Sequence, residues 1–246
     1  MPDITGRKNP EIQYLRRLIR DGAFRRSEQV FICHGTQSLI EARKSRAEVL
    51  KVYGVKKPDA EFCAPFVSVT PEVLEAISDV VTTEDAVFTV KMPRPKKLSG
   101  RKLIALEDVR DPGNVGTVIR TADAFGMDGV VFLGSCADPF APKTVRSTAG
   151  SHFRVPFFFS DLTELSAYCK KENVPLYAAA LDKGAQTLSQ GSVKEGCVMI
   201  GNEARGLSDA AKKDADGMLF IPIKSAESLN AAVAAAIFMW EMSGKK

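Results

Sequence analysis

The sequence predicts an α/β protein with a mostly parallel sheet, preceded by a smaller α/β domain. Short apolar segments alternate along the chain with segments of helical periodicity, which is the pattern of strands joined by crossover helices. Several apolar segments end abruptly in polar residues and glycine, as strands do when they open into loops. A basic stretch with two prolines at residues 91–102 reads as a linker, so we expect two domains.

Residues 1–90 are predicted to form the smaller domain. Its first helix, Glu11–Asp21, carries a stripe of apolar residues at helical spacing and three arginines on the remaining surface, Arg16, Arg17 and Arg20. Gly22 is expected to end this helix. Further strands are expected at residues 29–33, 49–53, 67–69 and 86–90, and further helices at residues 36–46 and from residue 70, where a proline opens the first turn.

Positive charge is concentrated in this domain. Residues 7–57 contain thirteen Lys or Arg against five Asp or Glu, whereas the net charge of the whole chain is only +4. Such asymmetry indicates a polyanionic partner, although a solvated charged face produces the same pattern. The basic linker has the same two interpretations, contact with a phosphate backbone or simple solvation.

Residues 103–246 are predicted to form the larger domain. A strand at residues 103–109, a helix ending at Phe125 and a strand at residues 130–133 make one right-handed β-α-β unit, with Arg120 away from the apolar face of its helix. Further strands are expected at residues 155–159, 176–181, 197–200 and 218–223, and helices at residues 161–171 and after Asn230. The loop and helix start at residues 139–150 carries Lys143 and Arg146, which either hold phosphate or are ordinary surface charge.

Two late stretches, Val198–Ser208 and Phe220–Glu241, share one construction. In each, an apolar strand gives way to polar residues in a turn before a helix begins. Ligands of open α/β sheets bind at the carboxyl edge of the strands, so we expect these turns to be neighbouring walls of one pocket. For Ser228 alone, the plainer interpretation is a helix cap.

Composition and motifs exclude several classes of function. No apolar run approaches the roughly 18–20 residues that span a membrane, and the N-terminus lacks the apolar core of a signal peptide. The five cysteines and two histidines show neither metal-ligand spacing nor a Ser-His-Asp arrangement. Gly-x-Gly-x-x-Gly and the Walker lysine pattern are also missing. We therefore expect a cytoplasmic protein without a metal, in which an activated cosubstrate brings the reactivity.

Three segments carry a resemblance to a known family. The residues that fit its three motifs are, in chain order, Asn114, Gly116, Arg120 and Ala122; Gly201, Glu203 and Gly206; and Ile221, Pro222, Ser228, Leu229 and Asn230. In this order and spacing, these residues resemble the signature motifs of the SpoU/TrmH family of RNA ribose 2′-O-methyltransferases. The match covers most of residues 103–242.

The resemblance implies a C-terminal trefoil knot, a homodimer, and S-adenosylmethionine as the methyl donor. It implies that the cofactor is held largely through backbone groups at Gly201, Ile221, Leu229 and Ala180. The N-terminal domain resembles the family's RNA substrate-binding domain more loosely, because the family's Pro-Gln-Gly is replaced here by residues 84–86, Glu-Asp-Ala. Ribosomal RNA is favoured over transfer RNA as the substrate.

The same resemblance implies roles for individual side chains. Arg120 is expected to orient the target nucleotide and to stabilise the alkoxide, since a guanidinium binds phosphate in a bidentate fashion. Ser228 and Asn230 would position the ribose hydroxyl or its departing proton, and Asn114 would arrange the loop on the RNA side. Glu203 either binds donors at the site or holds the turn through backbone N–H groups.

Three alternatives stay open at this point. The chain could be a transfer RNA ribose methyltransferase, or a base methyltransferase of the wider knotted superfamily. It could also be a catalytically silent RNA-binding or assembly protein on the same scaffold. Binding of S-adenosylmethionine and identification of the methylated nucleoside discriminate among them.

Overall fold

The computed structural model describes residues 1–78, 85–182, 184–189, 193–225 and 228–244. The chain forms two compact units: unit 1 is Met1–Arg94 with Asp138–Arg154, and unit 2 is Pro95–Ala137 with Val155–Lys246. Glu84, and Ala226 and Glu227 within the third motif, lie outside the described residues.

Helices and strands are interspersed along the chain. The helices are α1 (Pro10–Arg20), α2 (Gly22–Glu28), α3 (Thr36–Lys44), α4 (Pro71–Ser78), α5 (Pro112–Phe125), α6 (Pro142–Ser147), α7 (Leu162–Glu172), α8 (Asp209–Asp214) and α9 (Ala231–Ser243). The strands are β1 (Val30–His34), β2 (Val49–Gly54), β3 (Phe66–Ser68), β4 (Val87–Lys91), β5 (Lys102–Glu107), β6 (Gly129–Leu133), β7 (Phe157–Ser160), β8 (Leu176–Ala179), β9 (Gln186–Thr187), β10 (Gly196–Ile200) and β11 (Gly217–Phe220).

Unit 1 is built on a four-stranded mixed sheet of order β1-β4-β2-β3. Helix α1 forms where its periodicity predicts, and its apolar stripe is buried in the core. Helix α2 was not predicted, because Gly22 was expected only to end α1. In the structure, the Asp21 carboxylate accepts a hydrogen bond from the Phe24 N–H at 3.0 Å and so caps a second helix.

The segment 138–154 departs from the predicted domain boundaries, which assign it to the larger domain. The structure packs it in unit 1. The Arg25 guanidinium, only 4% exposed, donates to Asp138 at 2.6 Å, and Arg154 pairs with Glu41 at 2.5 Å. Because these contacts join residues more than a hundred positions apart, local sequence patterns do not predict them.

We expect a variant lacking residues 1–94 to aggregate. It would leave the segment 138–154 without the core it packs against, exposing buried Phe140 and His152, whose rings lie 5.3 and 5.0 Å from the Phe31 ring. Size-exclusion chromatography and binding of a hydrophobic dye measure this. The matched control also replaces residues 138–154 by a Gly-Ser linker and should stay monodisperse. A well-folded variant that keeps the segment would contradict the packing described.

Unit 2 is built on a seven-stranded sheet of order β7-β6-β5-β10-β8-β11-β9, and each described pair of strands is parallel. The predicted α/β class and parallel sheet are therefore confirmed. The predicted strand 218–223 ends at Phe220, two residues before Pro222, which has no N–H to continue a ladder. Helix α8 and the two-residue strand β9 were not predicted.

Helices cover both faces of this sheet. Helices α7 and α8 contribute to a buried cluster with Leu103 and Ala105 of β5, while α5 packs against α9. Since side chains alternate along a strand, the neighbouring residues of β5 face the other side. The adjacent strands β10, β8 and β11 thus end at the same edge, where their loops meet. Within the described ranges, no helix is both long and apolar enough to cross a membrane.

Candidate functional site

A cavity of about 400 Å³ lies in unit 2 at the carboxyl ends of β10, β8 and β11. This volume is typical of a small-molecule site. The four positions expected to hold a ligand through backbone groups line it: Gly201, Ile221, Leu229 and Ala180. Glu203 and Ser228 line it as well. The structure thus brings together residues from four separate chain segments.

The loop after β10 forms one wall and is closed very tightly. The Asn202 N–H donates to the Gly206 carbonyl at 3.1 Å, and the Gly206 N–H donates back at 2.9 Å. A Cβ atom on Gly201 would lie 2.2 Å from both the Gly206 carbonyl carbon and the Leu207 nitrogen. Because both obstacles are backbone atoms, no side-chain rotation relieves the clash, and only glycine fits at position 201.

The Asn202 side chain holds this loop from within. Its Oδ1 accepts from the N–H groups of Ala204 at 3.0 Å and Arg205 at 3.2 Å, and its Nδ2 donates to the Asp108 carbonyl at 2.8 Å. Asn202 is not among the predicted site residues, because it stands at the variable position of Gly-x-Glu. The tendency of asparagine to bond backbone groups two residues ahead was the signal that could have found it.

The far end of the loop is fixed to β5. Ser208 donates to the Glu107 carboxylate from its N–H at 2.8 Å and from its hydroxyl at 2.7 Å. The same hydroxyl accepts from the Ala211 N–H at 3.1 Å and caps α8. Neither this pair nor helix α8 is among the sequence predictions, although serine followed by Asp209 is a recognised start of a helix.

A chain of side-chain hydrogen bonds connects the three motifs. Asn230 Nδ2 donates to Asn114 Oδ1 at 2.9 Å, and Asn114 Nδ2 donates to Glu203 Oε1 at 2.9 Å. Asn230 Oδ1 also accepts from the Ala232 and Val233 N–H groups and caps α9. Since an ionised carboxylate only accepts hydrogen bonds, Glu203 fixes which way both amides point.

The Glu203 carboxyl is held in its ionised form. Burial works to raise its pKa, but hydrogen bonds from the Asn114 amide and from the N–H groups of Glu203, Asp111 and Arg110 outweigh burial. The pKa is therefore lowered from its ordinary value. A carboxyl with a lowered pKa is a poor proton acceptor near neutral pH, and it serves better as a fixed anchor for Asn114.

Not every predicted site residue borders the cavity. Asn114 contacts the wall residue Glu203, and Asn230 contacts Asn114. Arg120 lies on the exposed face of α5 and is not part of the wall. The remaining predicted residues belong to unit 1: Arg16, Arg17 and Arg20 on α1, and Lys143 and Arg146 on α6. The cavity is also lined by two cations that were not predicted as site residues, Arg205 and Lys212.

The part of the chain that the structure describes contains no cluster of three or more His, Cys, Asp or Glu side chains that would hold a metal ion. The polar groups that line the cavity are backbone amides, one asparagine amide, one serine hydroxyl, one ionised carboxylate and two cations, and the remaining walls are apolar. Such a set binds and orients a ligand that carries its own reactive group.

Asn114→Asp should destabilise unit 2 by about 1–2 kcal/mol at neutral pH. It places a second carboxylate against Glu203, and two carboxylates in contact raise the pKa of the pair. The loss is therefore present above that raised pKa and shrinks as the pH falls through it. Urea unfolding at about pH 7.5 and about pH 5 measures this, with Asn114→Ala as the matched control that adds no charge. If the two variants differ in free energy of unfolding by the same amount at both pH values, the contact between Asn114 and Glu203 is contradicted.

The sequence and the fold are similar to those of known proteins. Residues 101–240 match the SpoU rRNA Methylase family. The chain is 33% identical to the 23S rRNA (guanosine(2553)-2′-O)-methyltransferase of Bacillus subtilis, an alignment that covers 99% of this chain and 100% of the relative.

Two solved structures share the fold over nearly the full length. An AdoMet-bound rRNA methyltransferase from Sinorhizobium meliloti superposes with a TM-score of 0.83 at 26% identity, covering 98% of this chain and 97% of the other. The SpoU methyltransferase AviRb from Streptomyces viridochromogenes, in complex with AdoMet, superposes with a TM-score of 0.84, covering 96% and 97% of the two chains. At 23% identity, the second match supports the fold alone.

Proposed function

Since this chain belongs to the SpoU rRNA Methylase family, we propose that it uses S-adenosylmethionine to methylate a ribose 2′-hydroxyl of RNA. Ribosomal RNA is favoured over transfer RNA, because a relative that matches over its whole length is named for a 23S rRNA nucleotide. The observation that carries the proposal is the convergence of Gly201, Ile221, Leu229 and Ala180 on one cavity of suitable size.

The cavity fits S-adenosylmethionine in size and chemistry. At Gly201 the Gly206 and Leu207 backbone occupies the place of a side chain, so the loop closes tightly at the cavity wall. Leu219 and Phe238 give the cavity apolar surface for an adenosine group. The ionised Glu203 together with two cations, Arg205 and Lys212, suits a ligand that carries charges of both signs. When bound, S-adenosylmethionine supplies an electrophilic methyl group on a positively charged sulfur.

The chain's own contribution is orientation and exclusion of water. Ser228 at the cavity wall and Asn230 beside it present a hydroxyl and an amide for positioning the ribose hydroxyl. Holding two reacting groups in line is worth several kcal/mol. The charge on the methyl donor disappears as the methyl group is transferred, and a dry, apolar cavity favours that change.

Glu203 acts in this proposal as an anchor. Its lowered pKa makes it a weak base, and its contacts tie the Asn114 side chain to the loop after β10. Asn114 then holds Asn230, so the three motifs form one rigid unit around the site. Of the two roles open for Glu203, holding the turn is the better supported.

Arg120 belongs to the RNA side of the site. It is exposed on α5, the helix that also carries Asn114, and it lies outside the cavity wall. We assign it to the phosphate of the target nucleotide and to the alkoxide that forms there, since both are anions that suit a guanidinium. In unit 1, the basic residues Arg16, Arg17, Arg20, Lys143 and Arg146 are assigned to RNA on the basis of charge.

A homodimer is the expected assembly. Helix α9 exposes Val233 and Trp240, 48% and 50% exposed, which are seven residues apart and so share one side of the helix. Trp240→Glu should give a monomer in analytical ultracentrifugation, since a charge in a dimer interface costs several kcal/mol. Phe159→Glu, an equally exposed apolar position on β7 of the same unit, is the matched control and should stay dimeric. A dimer that persists in Trp240→Glu would place the interface elsewhere.

The C-terminal trefoil knot and a cytoplasmic location complete the proposal as predictions from the family resemblance and the sequence. An experimental trace of the chain through residues 196–244 tests the first. Fractionation of cells with the tagged protein tests the second.

The decisive experiment incubates the full chain with labelled S-adenosylmethionine and unmodified ribosomal RNA, then digests the RNA to nucleosides. We expect label in a 2′-O-methylated nucleoside. Label in a base would show a base methyltransferase. Label that appears only when transfer RNA is supplied would make transfer RNA the substrate. S-adenosylmethionine binding by calorimetry without transfer to any RNA would favour the catalytically silent protein.

A further inference from the structure

Arg17 and Phe24 form a stacked pair on the surface of unit 1. The guanidinium carbon of Arg17 lies 3.9 Å from the centroid of the Phe24 ring. Phe24 meets Tyr14 edge-on, with ring centroids 5.5 Å apart and planes at 76°. Both rings are half-buried and pack against the apolar core of the unit, so that Phe24 is a fixed support for the guanidinium.

The guanidinium is held in place, yet it remains open to solvent. At 3.9 Å from the ring there is no room for water between the two groups. The Arg17 side chain is nonetheless 62% exposed, and its Nε lies 3.6 Å from Asp21, one turn further along. The pair therefore presents a flat, restrained, positively charged surface, which differs from the mobile cation that an exposed arginine usually provides.

The charge around this pair is mixed but mainly positive. Arg20 and Arg26 are exposed on α1 and α2, and Arg16 is half-buried. The nearby acids are Asp21, which pairs with Arg17, and Glu28, which interacts with Tyr14. Cations within a turn or two of a flat surface suit a ligand that combines a planar ring with a phosphate backbone.

We propose that the Arg17–Phe24 pair is a subsite for an unpaired RNA base, which stacks on the open face of the guanidinium. Bases stack on arginine planes as they do on aromatic rings, but only when they are free of the helix, because bases in a duplex already stack on each other. This inference rests on the proposed function in RNA, and it specifies a loop or single strand as the part of the substrate that unit 1 holds.

The test compares binding of a short oligoadenylate and of an RNA duplex to the full chain. Arg17→Lys keeps the positive charge but removes the plane, so affinity for oligoadenylate should fall roughly five- to tenfold while affinity for the duplex stays unchanged. The slope of affinity against salt should not change, since the number of cations is the same. Arg43→Lys is the matched exchange at an exposed arginine on α3 of the same unit and should have no effect.

Phe24→Leu keeps apolar volume under the guanidinium but removes the ring. It should weaken oligoadenylate binding to a similar degree, and the double variant should lose little more than either single variant, because both changes break one stack. Urea unfolding checks that the three variants are folded.

Unchanged oligoadenylate affinity in Arg17→Lys overturns the subsite, as does an equal loss in Arg43→Lys, which would mean that the loss does not depend on the Phe24 stack. These outcomes are separate from the fate of the proposed function. Binding of oligoadenylate is measured without methyl transfer. If the wild type methylates RNA but binds oligoadenylate no more tightly than Arg17→Lys does, only the subsite is refuted. A chain that methylates no RNA refutes the proposed function whatever the oligomer shows.

Discussion

Gly201→Ala is expected to abolish S-adenosylmethionine binding. The new methyl group would sit 2.2 Å from the backbone of Gly206 and Leu207, so the loop must open before the side chain fits. Opening it breaks the paired backbone hydrogen bonds of Asn202 and moves Glu203 at the cavity wall. Calorimetry should show a loss of affinity of more than about a hundredfold, and overpacking should lower the free energy of unfolding by about 1–3 kcal/mol.

Gly206→Ala is the matched control at the other end of the same loop. Gly206 has a φ of +69°, which an alanine adopts at a cost of roughly 1–2 kcal/mol, but nothing lies within 4 Å of its new methyl group. Its loss of affinity should therefore be much smaller than that of Gly201→Ala. If the two variants bind the cofactor equally, backbone crowding at Gly201 is not what shapes the cavity.

The convergence at the cavity was predictable from the sequence, because it follows from the rule that parallel strands end at one edge. Gly201 and Ile221 each follow an apolar strand, so two parallel strands of one sheet place them at the same edge. The short elements were not predictable in this way. Helix α8 and strand β9 hold too few residues for a periodic pattern, and they form because Ser208 caps the first and β11 pairs with the second.

Partners across the chain were beyond sequence reasoning for another reason. Asn114 and Glu203 are 89 positions apart, and Arg25 and Asp138 are 113 apart. Each residue has a plausible local role as a cap or a surface charge, and only the folded chain shows which carboxylate meets which donor. This is why segment 138–154 was assigned to the wrong side of the predicted boundary, and why Glu203 could not be assigned to one role.

Arg120→Ala is expected to lose methyl transfer and to keep both the fold and the cofactor site. Arg120 lies on the exposed face of α5, away from its buried residues and from the cavity wall, so its removal disturbs neither packing nor S-adenosylmethionine. If it stabilises the alkoxide and the target phosphate, kcat/KM on RNA should fall roughly 100- to 1000-fold. Calorimetry with the cofactor and urea unfolding should match the wild type.

Arg120→Lys separates charge from geometry. A lysine keeps the positive charge but lacks the planar fork, so an intermediate rate indicates that bidentate binding matters. Lys170→Ala removes an exposed cation from α7 of the same unit and should leave turnover unchanged. Normal turnover in Arg120→Ala would contradict the role assigned to Arg120. Stabilisation of the alkoxide would then depend on Ser228 and Asn230, without a cation on α5.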